Sequence, residues 1–378
     1  MRYLLYSMPG LLFRDQIGGE MADRLMKGNE AIAQGALLAG CRFYAGYPIT
    51  PQNEILEYMS EKMEQLGGTF VQGESEIASV SMVWGASAAG ARAMTSSSGP
   101  GFSLKQEGIA YLASYGLPAV LVNIMRYGVG GGDITQGQDS YLQAVKGGGN
   151  GDYRLIVLSP ASVTECAQFT YEAFELAERY RNPVLILGDG AIGQMTEPCI
   201  LPEALEHDID SNDWCIRGRP QGEPKRKVTN LNWYWGDTEW QRWVQEKYSL
   251  IMRSEQRWDS LEIQDAELIL VAFGVSARVC RKAVRQGREM GIRLGLIRPI
   301  TLWPFPRQAF QNLNRDLKGF LSVQMDITAQ MTEDICLADR FRHEVYDYCT
   351  AIEIPQADGI IERAKAILGG SVGPKEVL

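Results

Sequence analysis

The chain has few histidines and no closely spaced cysteines. Only His207 and His343 occur in 378 residues, so an enzyme built on this chain must run its acid–base chemistry mostly without histidine, the side chain that most often performs it. The seven cysteines are far apart, and no two of them form a C-x-x-C pair. The sequence therefore has no recognisable iron–sulfur or zinc motif, and an odd number of unpaired cysteines fits the reducing cytoplasm.

Two further absences concern membranes and nucleic acids. No apolar run approaches the ~20 residues of a membrane span. The first twelve residues are mildly apolar but lack the cleavage site of a signal peptide. The net charge is −9, whereas a nucleic-acid-binding domain usually carries a basic patch. We therefore expect a cytoplasmic protein that binds neither membranes nor nucleic acids.

What the sequence does contain is an alternation of strand and helix patterns. A length of 378 residues suggests two or three domains, at ~150 residues each. Residues 26–201 alternate between short apolar runs and amphipathic stretches, which predicts an α/β fold with a parallel sheet covered on both faces. A smaller α/β unit is predicted for residues 262–378. Residues 1–25 are interpreted as an N-terminal extension, and residues 202–261, with six tryptophans, as a connector.

Two candidate ligand-binding residues follow predicted strands, the position at which open α/β sheets bind ligands. In the run G-Y-P-I-T-P at residues 46–51, Thr50 before Pro51 has the signature of a helix start, a hydroxyl N-cap followed by proline. This predicts a capped helix, and a free hydroxyl at that point also suits an anionic or carbonyl group of a substrate. Arg126 either holds a substrate carboxylate or forms a surface ion pair.

The most distinctive arrangement centres on Glu76. Glu74 and Glu76 open a predicted helix, where acidic residues usually serve only the helix dipole. Gly85 follows nine residues after Glu76, and the next predicted strand ends in an S-G-P-G turn made of Ser98, Gly99, Pro100 and Gly101. This spacing favours Glu76 over Glu74. A carboxyl group in a rather apolar pocket can exchange protons near neutral pH without a histidine.

These segments together resemble the 2-oxoacid:ferredoxin oxidoreductase family. The matching blocks occur in family order as MKGNEA (26–31), GYPITPQ (46–52), ESE (74–76), MTSSSGPG (94–101), KGGG (146–149), NPVLIL (182–187) and RPITLWPFP (298–306). The resemblance implies a parallel-sheet domain that binds the pyrimidine end of thiamine diphosphate, followed by a smaller transketolase-C-terminal-like α/β domain. It also implies oxidative decarboxylation of a 2-oxoacid with coenzyme A, with electrons passed to ferredoxin.

The resemblance assigns roles to the candidate residues. Glu76 would contact N1′ of the aminopyrimidine ring and activate the cofactor, with Ser98, Gly99, Pro100 and Gly101 beside it. Thr50 and Arg126 would bind oxygen atoms of the substrate. Gly188-Asp189-Gly190 matches only half of the Mg²⁺–diphosphate motif of thiamine enzymes. Asp189 is therefore interpreted as a cap or turn residue, and no metal ligand is assigned to this chain.

The remaining chemistry is implied to reside in other subunits. These are a beta-type subunit with the Mg²⁺–diphosphate motif, a gamma-type subunit and a small ferredoxin-like subunit with 4Fe–4S clusters, assembled as a dimer of the hetero-oligomer. Within the family, residues 97–109 and 146–149 look most like the 3-methyl-2-oxobutanoate, or branched-chain, ferredoxin oxidoreductases. The alternatives are a 2-oxoglutarate:ferredoxin oxidoreductase subunit and a non-catalytic scaffold homologue.

Overall fold

A computed structural model of the protein describes residues 24–205, 214–216 and 238–376. The predicted N-terminal extension lies almost wholly outside the described residues, as do much of the predicted connector and its Trp233 and Trp235. The strands within the described ranges are β1 (Arg24–Lys27), β2 (Phe43–Gly46), β3 (Thr69–Gln72), β4 (Ala93–Ser97), β5 (Val120–Met125), β6 (Ile156–Leu158), β7 (Val184–Asp189), β8 (Thr196–Cys199), β9 (Trp258–Leu261), β10 (Leu268–Val271), β11 (Leu294–Pro299), β12 (Thr301–Trp303), β13 (Gly319–Gln324) and β14 (Glu344–Cys349).

Helices connect most of these strands. Those of the described ranges are α1 (Gly28–Leu38), α2 (Asn53–Lys62), α3 (Glu76–Ala88), α4 (Gly99–Leu104), α5 (Gln106–Ser114), α6 (Tyr141–Lys146), α7 (Val163–Tyr180), α8 (Gly190–Gln194), α9 (Thr238–Ser254), α10 (Gly274–Glu289), α11 (Thr332–Asp339) and α12 (Ala357–Leu368), with short 3-10 turns at Glu64–Leu66 and Arg307–Phe310.

The first unit is built on a sheet of order β12-β6-β7-β5-β4-β2-β3. All pairs from β6 to β3 are parallel, so the carboxyl ends of β2, β3, β4 and β5 lie at one edge of the sheet. β5 and β7 are buried along their whole length, as expected for central strands with helices on both faces. β1 and β8, which are far apart in the chain, form a separate two-stranded antiparallel sheet.

The second unit has a sheet of order β14-β13-β10-β11-β9. Its central strands are parallel, and β9 is added at one edge antiparallel to β11. β9 belongs to the segment assigned to the connector in the sequence analysis, so the described end of that segment is part of this sheet. β12 follows β11 in the chain but pairs with β6 of the first sheet, with Thr301 opposite Leu158.

The two units share one hydrophobic core. A single buried cluster contains Val80 and Phe102 of the first unit together with Phe273 and Phe310 of the second. The rings of Tyr141 and Phe273 lie 5.7 Å apart across the boundary. Because the two units bury apolar surface against each other, the second unit can hold loops of the first in a fixed position.

Helix α9 attaches the described end of the connector to the first unit. Its Trp243 lies against Gly116, where a β-carbon would come 2.8 Å from the ring. Lys247 of the same helix is buried over the Trp243 and Tyr248 rings, 4.3 Å and 4.9 Å from their centroids. Aromatic side chains of the connector therefore do pack on a domain of this chain.

Candidate active site

The candidate residues come from four loops at one edge of the first sheet. Thr50 follows β2, Glu76 follows β3, Ser98 begins the turn after β4, and Arg126 follows β5. These strands are neighbours in the sheet and run parallel, so their carboxyl ends converge. The topology therefore brings together residues that are up to 76 positions apart in the sequence, such as Thr50 and Arg126.

Glu76 is the first residue of helix α3 and its side chain is buried, with 6% of its surface exposed. The helix begins there because the Ser75 hydroxyl caps it, accepting a hydrogen bond of 3.2 Å from the Ala78 N–H. Glu74 is exposed to solvent. Only Glu76 of the two acidic residues therefore presents its carboxyl group to the interior of the site.

Gly101 makes room for the Glu76 carboxyl. A β-carbon at position 101 would overlap both Glu76 Oε1 and Ser97 Oγ. The S-G-P-G segment, predicted to be a turn, is the N-cap and first turn of α4, and its Gly101 packs directly on the glutamate. Glycine at this position therefore allows the α4 backbone to approach the carboxyl group this closely.

A second group forms around Arg126. Its Nη1 donates to the Thr50 carbonyl at 3.1 Å and its Nη2 to the Gly131 carbonyl at 2.5 Å. Gly99 has a φ of +45°, and a β-carbon there would lie 2.8 Å from Arg126 Nε. Glycine is thus needed at this position both for its backbone conformation and for the close approach of the guanidinium.

The predicted helix cap at Thr50 is wrong. Helix α2 begins at Asn53, with Gln52 at the N-cap position and no side-chain cap. Residues 49–52 form a turn closed by a hydrogen bond of 3.1 Å from the Gln52 N–H to the Ile49 carbonyl, so Thr50 lies before the helix. The buried Gln52 side chain accepts a hydrogen bond from Ser96 Oγ of β4, which fixes the turn to the sheet. The exposed Thr50 side chain remains available at the edge of the site.

Several polar atoms at this edge are buried but have no hydrogen-bond partner in the structure. They are Ser97 Oγ, Ser98 Oγ, both side-chain atoms of Asn123, and Arg126 Nε. Ser97 and Asn123 are paired in register on adjacent strands. Buried polar groups are almost always hydrogen-bonded in folded proteins, so such a cluster fits a polar ligand. Together with the Glu76 carboxyl, these atoms fit the aminopyrimidine end of thiamine diphosphate, which offers both donors and acceptors.

The half-motif Gly188-Asp189-Gly190 lies where β7 ends and α8 begins. Among the residues that the structure describes, no group of three or more acidic, histidine or cysteine side chains is arranged to hold a metal ion. Asp189, the aspartate of the half-motif, is buried and caps helix α8 by accepting from the Ile192 N–H at 2.9 Å. It also accepts from the Val275 N–H of the second unit at 2.8 Å. Its interpretation as a capping residue is confirmed, and burial raises the pKa of its carboxyl group.

The sequence analysis missed Lys105. This lysine is fully buried directly behind Glu76, and its Nζ donates to Thr95 Oγ1 at 2.9 Å and to the Glu76 carbonyl at 3.4 Å. Burial lowers the pKa of Lys105 to about 7, and the negative charge of Glu76 acts in the opposite direction. The sequence offers little signal for it, because a lone lysine at a helix start is normally exposed.

The loop after Arg126 is anchored to the second unit, which the sequence also gave no means to foresee. Gln138 is fully buried, and its N–H donates to the Met325 carbonyl at 2.7 Å. The Gln138 side-chain oxygen accepts from the Met325 N–H and from Ser276 Oγ. Gln136 Nε2 donates to the Ile352 carbonyl at 3.0 Å. The second unit thereby holds the loop that in turn contacts the Arg126 guanidinium.

Comparison with known proteins identifies the family. Residues 34–238 match the thiamine-diphosphate-binding domain of pyruvate flavodoxin/ferredoxin oxidoreductases, and residues 266–353 match core domain II of pyruvate:ferredoxin oxidoreductase. The chain belongs to the 2-oxoacid:ferredoxin oxidoreductase family. It is therefore an oxidoreductase subunit with a thiamine-diphosphate-binding domain, as the sequence motifs predicted.

Relatives of this oxidoreductase subunit cover most of its length. The ketoisovalerate oxidoreductase subunit VorB of Methanothermobacter marburgensis is 48% identical over 324 residues, which are 85% of this chain and 91% of that protein. The 2-oxoglutarate synthase subunit KorA of Methanothermobacter thermautotrophicus is 35% identical over 328 residues, 80% of this chain and 87% of that protein.

A solved structure supports the predicted fold class. The 2-oxoglutarate:ferredoxin oxidoreductase from Magnetococcus marinus, with 2-oxoglutarate, coenzyme A and succinyl-CoA bound, is 25% identical with a TM-score of 0.79. The match covers 92% of this subunit and 65% of that longer chain. The predicted α/β fold with parallel sheets is confirmed. No helix in the described part of the oxidoreductase subunit has the length and apolar character that crossing a bilayer requires.

Proposed function

We propose that this subunit supplies the pyrimidine-side half of an active site that oxidatively decarboxylates a branched-chain 2-oxoacid to an acyl-CoA and CO2, with electrons passed to ferredoxin. The observation that carries the proposal is the buried Glu76 carboxyl, which lies against Gly101 beside unpartnered polar atoms of Ser97 and Asn123. This arrangement offers a carboxyl group and neutral hydrogen-bonding atoms at the edge where an open α/β sheet binds its ligand.

The residues of the site divide into two roles. When bound, thiamine diphosphate supplies the electron sink for decarboxylation, while the protein orients it. Glu76 would hold a proton at its carboxyl group opposite N1′ of the aminopyrimidine, with Ser98, Gly99, Pro100 and Gly101 lining the ring. A buried carboxyl group can perform this exchange without the help of a histidine.

Arg126 and Thr50 would bind the substrate. Two of the Arg126 guanidinium nitrogens are held by the carbonyls of Thr50 and Gly131, while its Nε has no partner. A guanidinium fixed in this way can offer N–H groups to a 2-oxoacid carboxylate at little cost in conformational entropy. Thr50, whose carbonyl accepts from Arg126 and whose side chain is exposed, would bind the keto or carboxylate oxygen through its hydroxyl.

The choice of a branched-chain substrate rests on sequence similarity. The ketoisovalerate oxidoreductase subunit VorB is 48% identical to this chain over 324 aligned residues, against 35% over 328 for the 2-oxoglutarate synthase subunit KorA. A 2-oxoglutarate substrate would bring a second carboxylate into the site. The alternative of a 2-oxoglutarate enzyme is therefore an explicit outcome of the experiment below.

The subunit is proposed to work with a beta-type partner that provides the Mg²⁺–diphosphate half. Large apolar side chains are exposed in the segments that follow β2, β3, β4 and β5, at the edge of the sheet where the site lies. They are Tyr47, Ile77, Leu104, Val129 and Ile134. Exposed apolar surface of this kind usually marks an interface.

A gamma-type subunit and a small ferredoxin-like subunit with 4Fe–4S clusters would complete a hetero-oligomer that dimerises. All seven cysteines are free thiols, which supports a cytoplasmic location.

The proposal is tested with the reconstituted complex. Turnover is followed by reduction of a viologen dye with coenzyme A and a panel of 2-oxoacids that includes 3-methyl-2-oxobutanoate and 2-oxoglutarate. Glu76→Gln should lower turnover by at least about 100-fold, because acid–base assistance contributes 10²–10⁴-fold. Preference for 2-oxoglutarate would reverse the substrate assignment.

The matched control is Glu74→Gln, which makes the same chemical change at an exposed position two residues away. It should leave turnover unchanged. If Glu76→Gln were as active as the wild type, the catalytic assignment would be wrong and the scaffold alternative would stand.

A further inference from the structure

Lys105 is the buried cation nearest to the proposed catalytic carboxyl. It is the single residue between α4 and α5, and none of its surface is exposed. Lysine is rarely buried completely unless an opposite charge compensates it. Here the hydrogen bonds of the amine go to neutral oxygens only, those of the Thr95 hydroxyl and the Glu76 carbonyl. The energetic cost of burying this side chain therefore calls for an explanation beyond packing.

The two contacts tie Lys105 to the site. Thr95 lies two residues before Ser97 on the same face of β4, and the Glu76 carbonyl belongs to the first turn of α3. The amine thus connects the strand beneath the site to the helix turn that carries the carboxyl group. Among the residues that the structure describes, Glu76 carries the charge that raises the pKa of the Lys105 amine.

We propose that Lys105 is a positioning residue for Glu76: the Lys105 amine fixes the first turn of α3, which carries the Glu76 carboxyl, to β4. The proposal rests on the proposed function of Glu76. Burial of the amine would also place a group that changes its charge near neutral pH directly behind the carboxyl.

The pKa of Lys105 reflects its position behind Glu76. Desolvation lowers the pKa of Lys105 to about 7, and Glu76 is the group that raises it. Removing the charge of Glu76 should therefore lower the pKa of Lys105 further. This gives a direct test that needs neither cofactor nor substrate.

The first experiment titrates Lys105 in the full-length chain by NMR of ¹⁵N-labelled lysine side chains. Lys247 is also buried and also has a pKa of about 7, so its resonance would titrate over the same pH range. The titration is therefore done in the Lys247→Met background, in which the resonance that titrates near pH 7 belongs to Lys105. Glu76→Gln should lower the pKa of Lys105 by about one unit, the size expected for losing an opposite charge. Glu74→Gln, the matched control, should leave it unchanged. An unchanged pKa in Glu76→Gln would overturn the proposed role of Lys105.

The second experiment measures the pH profile of turnover in the reconstituted complex. Lys105→Met introduces a neutral side chain of similar length. It should shift the pH at which turnover reaches half of its maximum, and it should also lower the maximum. Thr95→Val removes the hydrogen bond that the Lys105 amine donates to the Thr95 hydroxyl but keeps the charge of the amine. It should lower turnover without shifting the pH of half-maximal turnover. A Lys105→Met profile with the wild-type shape would reduce Lys105 to a packing role. If Lys105→Met does not fold, the lysine titration alone decides.

The outcomes also separate this inference from the proposed function. Wild-type turnover in Glu76→Gln would overturn the catalytic role of Glu76, whatever the lysine titration shows. Loss of turnover in Glu76→Gln combined with an unshifted Lys105 titration would leave the function standing and overturn only the role of Lys105.

Discussion

Gly101 lies so close to Glu76 that a β-carbon at position 101 would overlap the Oε1 atom of the carboxyl group. The same β-carbon would overlap Ser97 Oγ, so the glycine separates a charged group and a hydroxyl that both face the site. Neither of these atoms belongs to a flexible surface chain, because Glu76 and Ser97 are both buried. A side chain at this position can be accommodated only if the carboxyl group moves.

Gly101→Ala should therefore lower turnover of the reconstituted complex by about 100-fold, close to the loss expected for removing the acid–base group itself. The methyl group displaces the carboxyl from its position, while the backbone of an alanine fits a helix well. Steady-state dye reduction measures the effect. Gly373→Ala, where a β-carbon would meet nothing within 4 Å, is the control and should be fully active.

Arg126 should contribute to substrate binding more than to turnover. Arg126→Met is expected to raise the KM for the 2-oxoacid by about 10- to 100-fold, since a hydrogen bond to a charged group contributes about 1.5–3 kcal/mol. Because Arg126 also anchors the Thr50 and Gly131 carbonyls, a smaller fall in kcat should accompany it. Initial rates over a range of substrate concentrations give both constants. The same change at the exposed Arg315 should alter neither, and an unchanged KM in Arg126→Met would remove Arg126 from the substrate site.

Much of this architecture follows from the sequence, because strand ends and helix starts are local signals. The strand before Glu76 and the helix that begins there were predictable from short patterns of apolar residues, whereas the residues predicted as an S-G-P-G turn form the N-cap and first turn of α4. The preference for Glu76 over Glu74 came from spacing, and the structure supports it through burial: Glu76 is enclosed and Glu74 is exposed.

What could not be predicted depends on contacts between distant segments. The local pattern at Thr50 and Pro51 indicates a helix cap, but Gln52 is held by Ser96 from another strand, and the helix starts later. The pairing of β12 with the first sheet has no local signal, since three residues carry no information about their partner. The burial of Lys105 is equally non-local, because it results from the packing of α3 on β4.

Asp189 should be a stability determinant, because it joins the two units. Its carboxylate accepts from the Ile192 and Val275 N–H groups, one in each unit. Asp189→Ala leaves two buried donors without acceptors and should lower the free energy of unfolding by about 3 kcal/mol. Urea denaturation followed by circular dichroism measures this change. Asp316→Ala, at an exposed position, should change stability little, and equal stability of the two variants would contradict the structural role.

Lys247 should make stability depend on pH. Burial lowers its pKa from 10.5 to about 7 in the folded chain. Between these values the unfolded chain binds the additional proton, so the free energy of unfolding rises with pH, by up to about 1.4 kcal/mol per pH unit for one such lysine. Below about pH 7 both states are protonated and the dependence disappears. Lys247→Met should remove this contribution, so its unfolding free energy measured at pH 7, 8 and 9 should rise less steeply than that of the wild type. Parallel curves would mean that Lys247 titrates normally.

Docking of the beta-type subunit should depend on the apolar residues around the site. Ile77 is 55% exposed beside Glu76, and its burial in an interface would contribute about 1.5–3 kcal/mol. Ile77→Asp should therefore weaken association with the partner by at least about tenfold, because it also introduces a charge that must be desolvated. Sedimentation velocity gives the dissociation constant of this chain and the beta-type subunit. Calorimetry on the isolated chain should find only weak binding of thiamine diphosphate and Mg²⁺. Met290→Asp, at a residue 59% exposed at the end of α10 in the second unit, is the matched control and should assemble normally. If both variants assembled like the wild type, the partner would dock elsewhere.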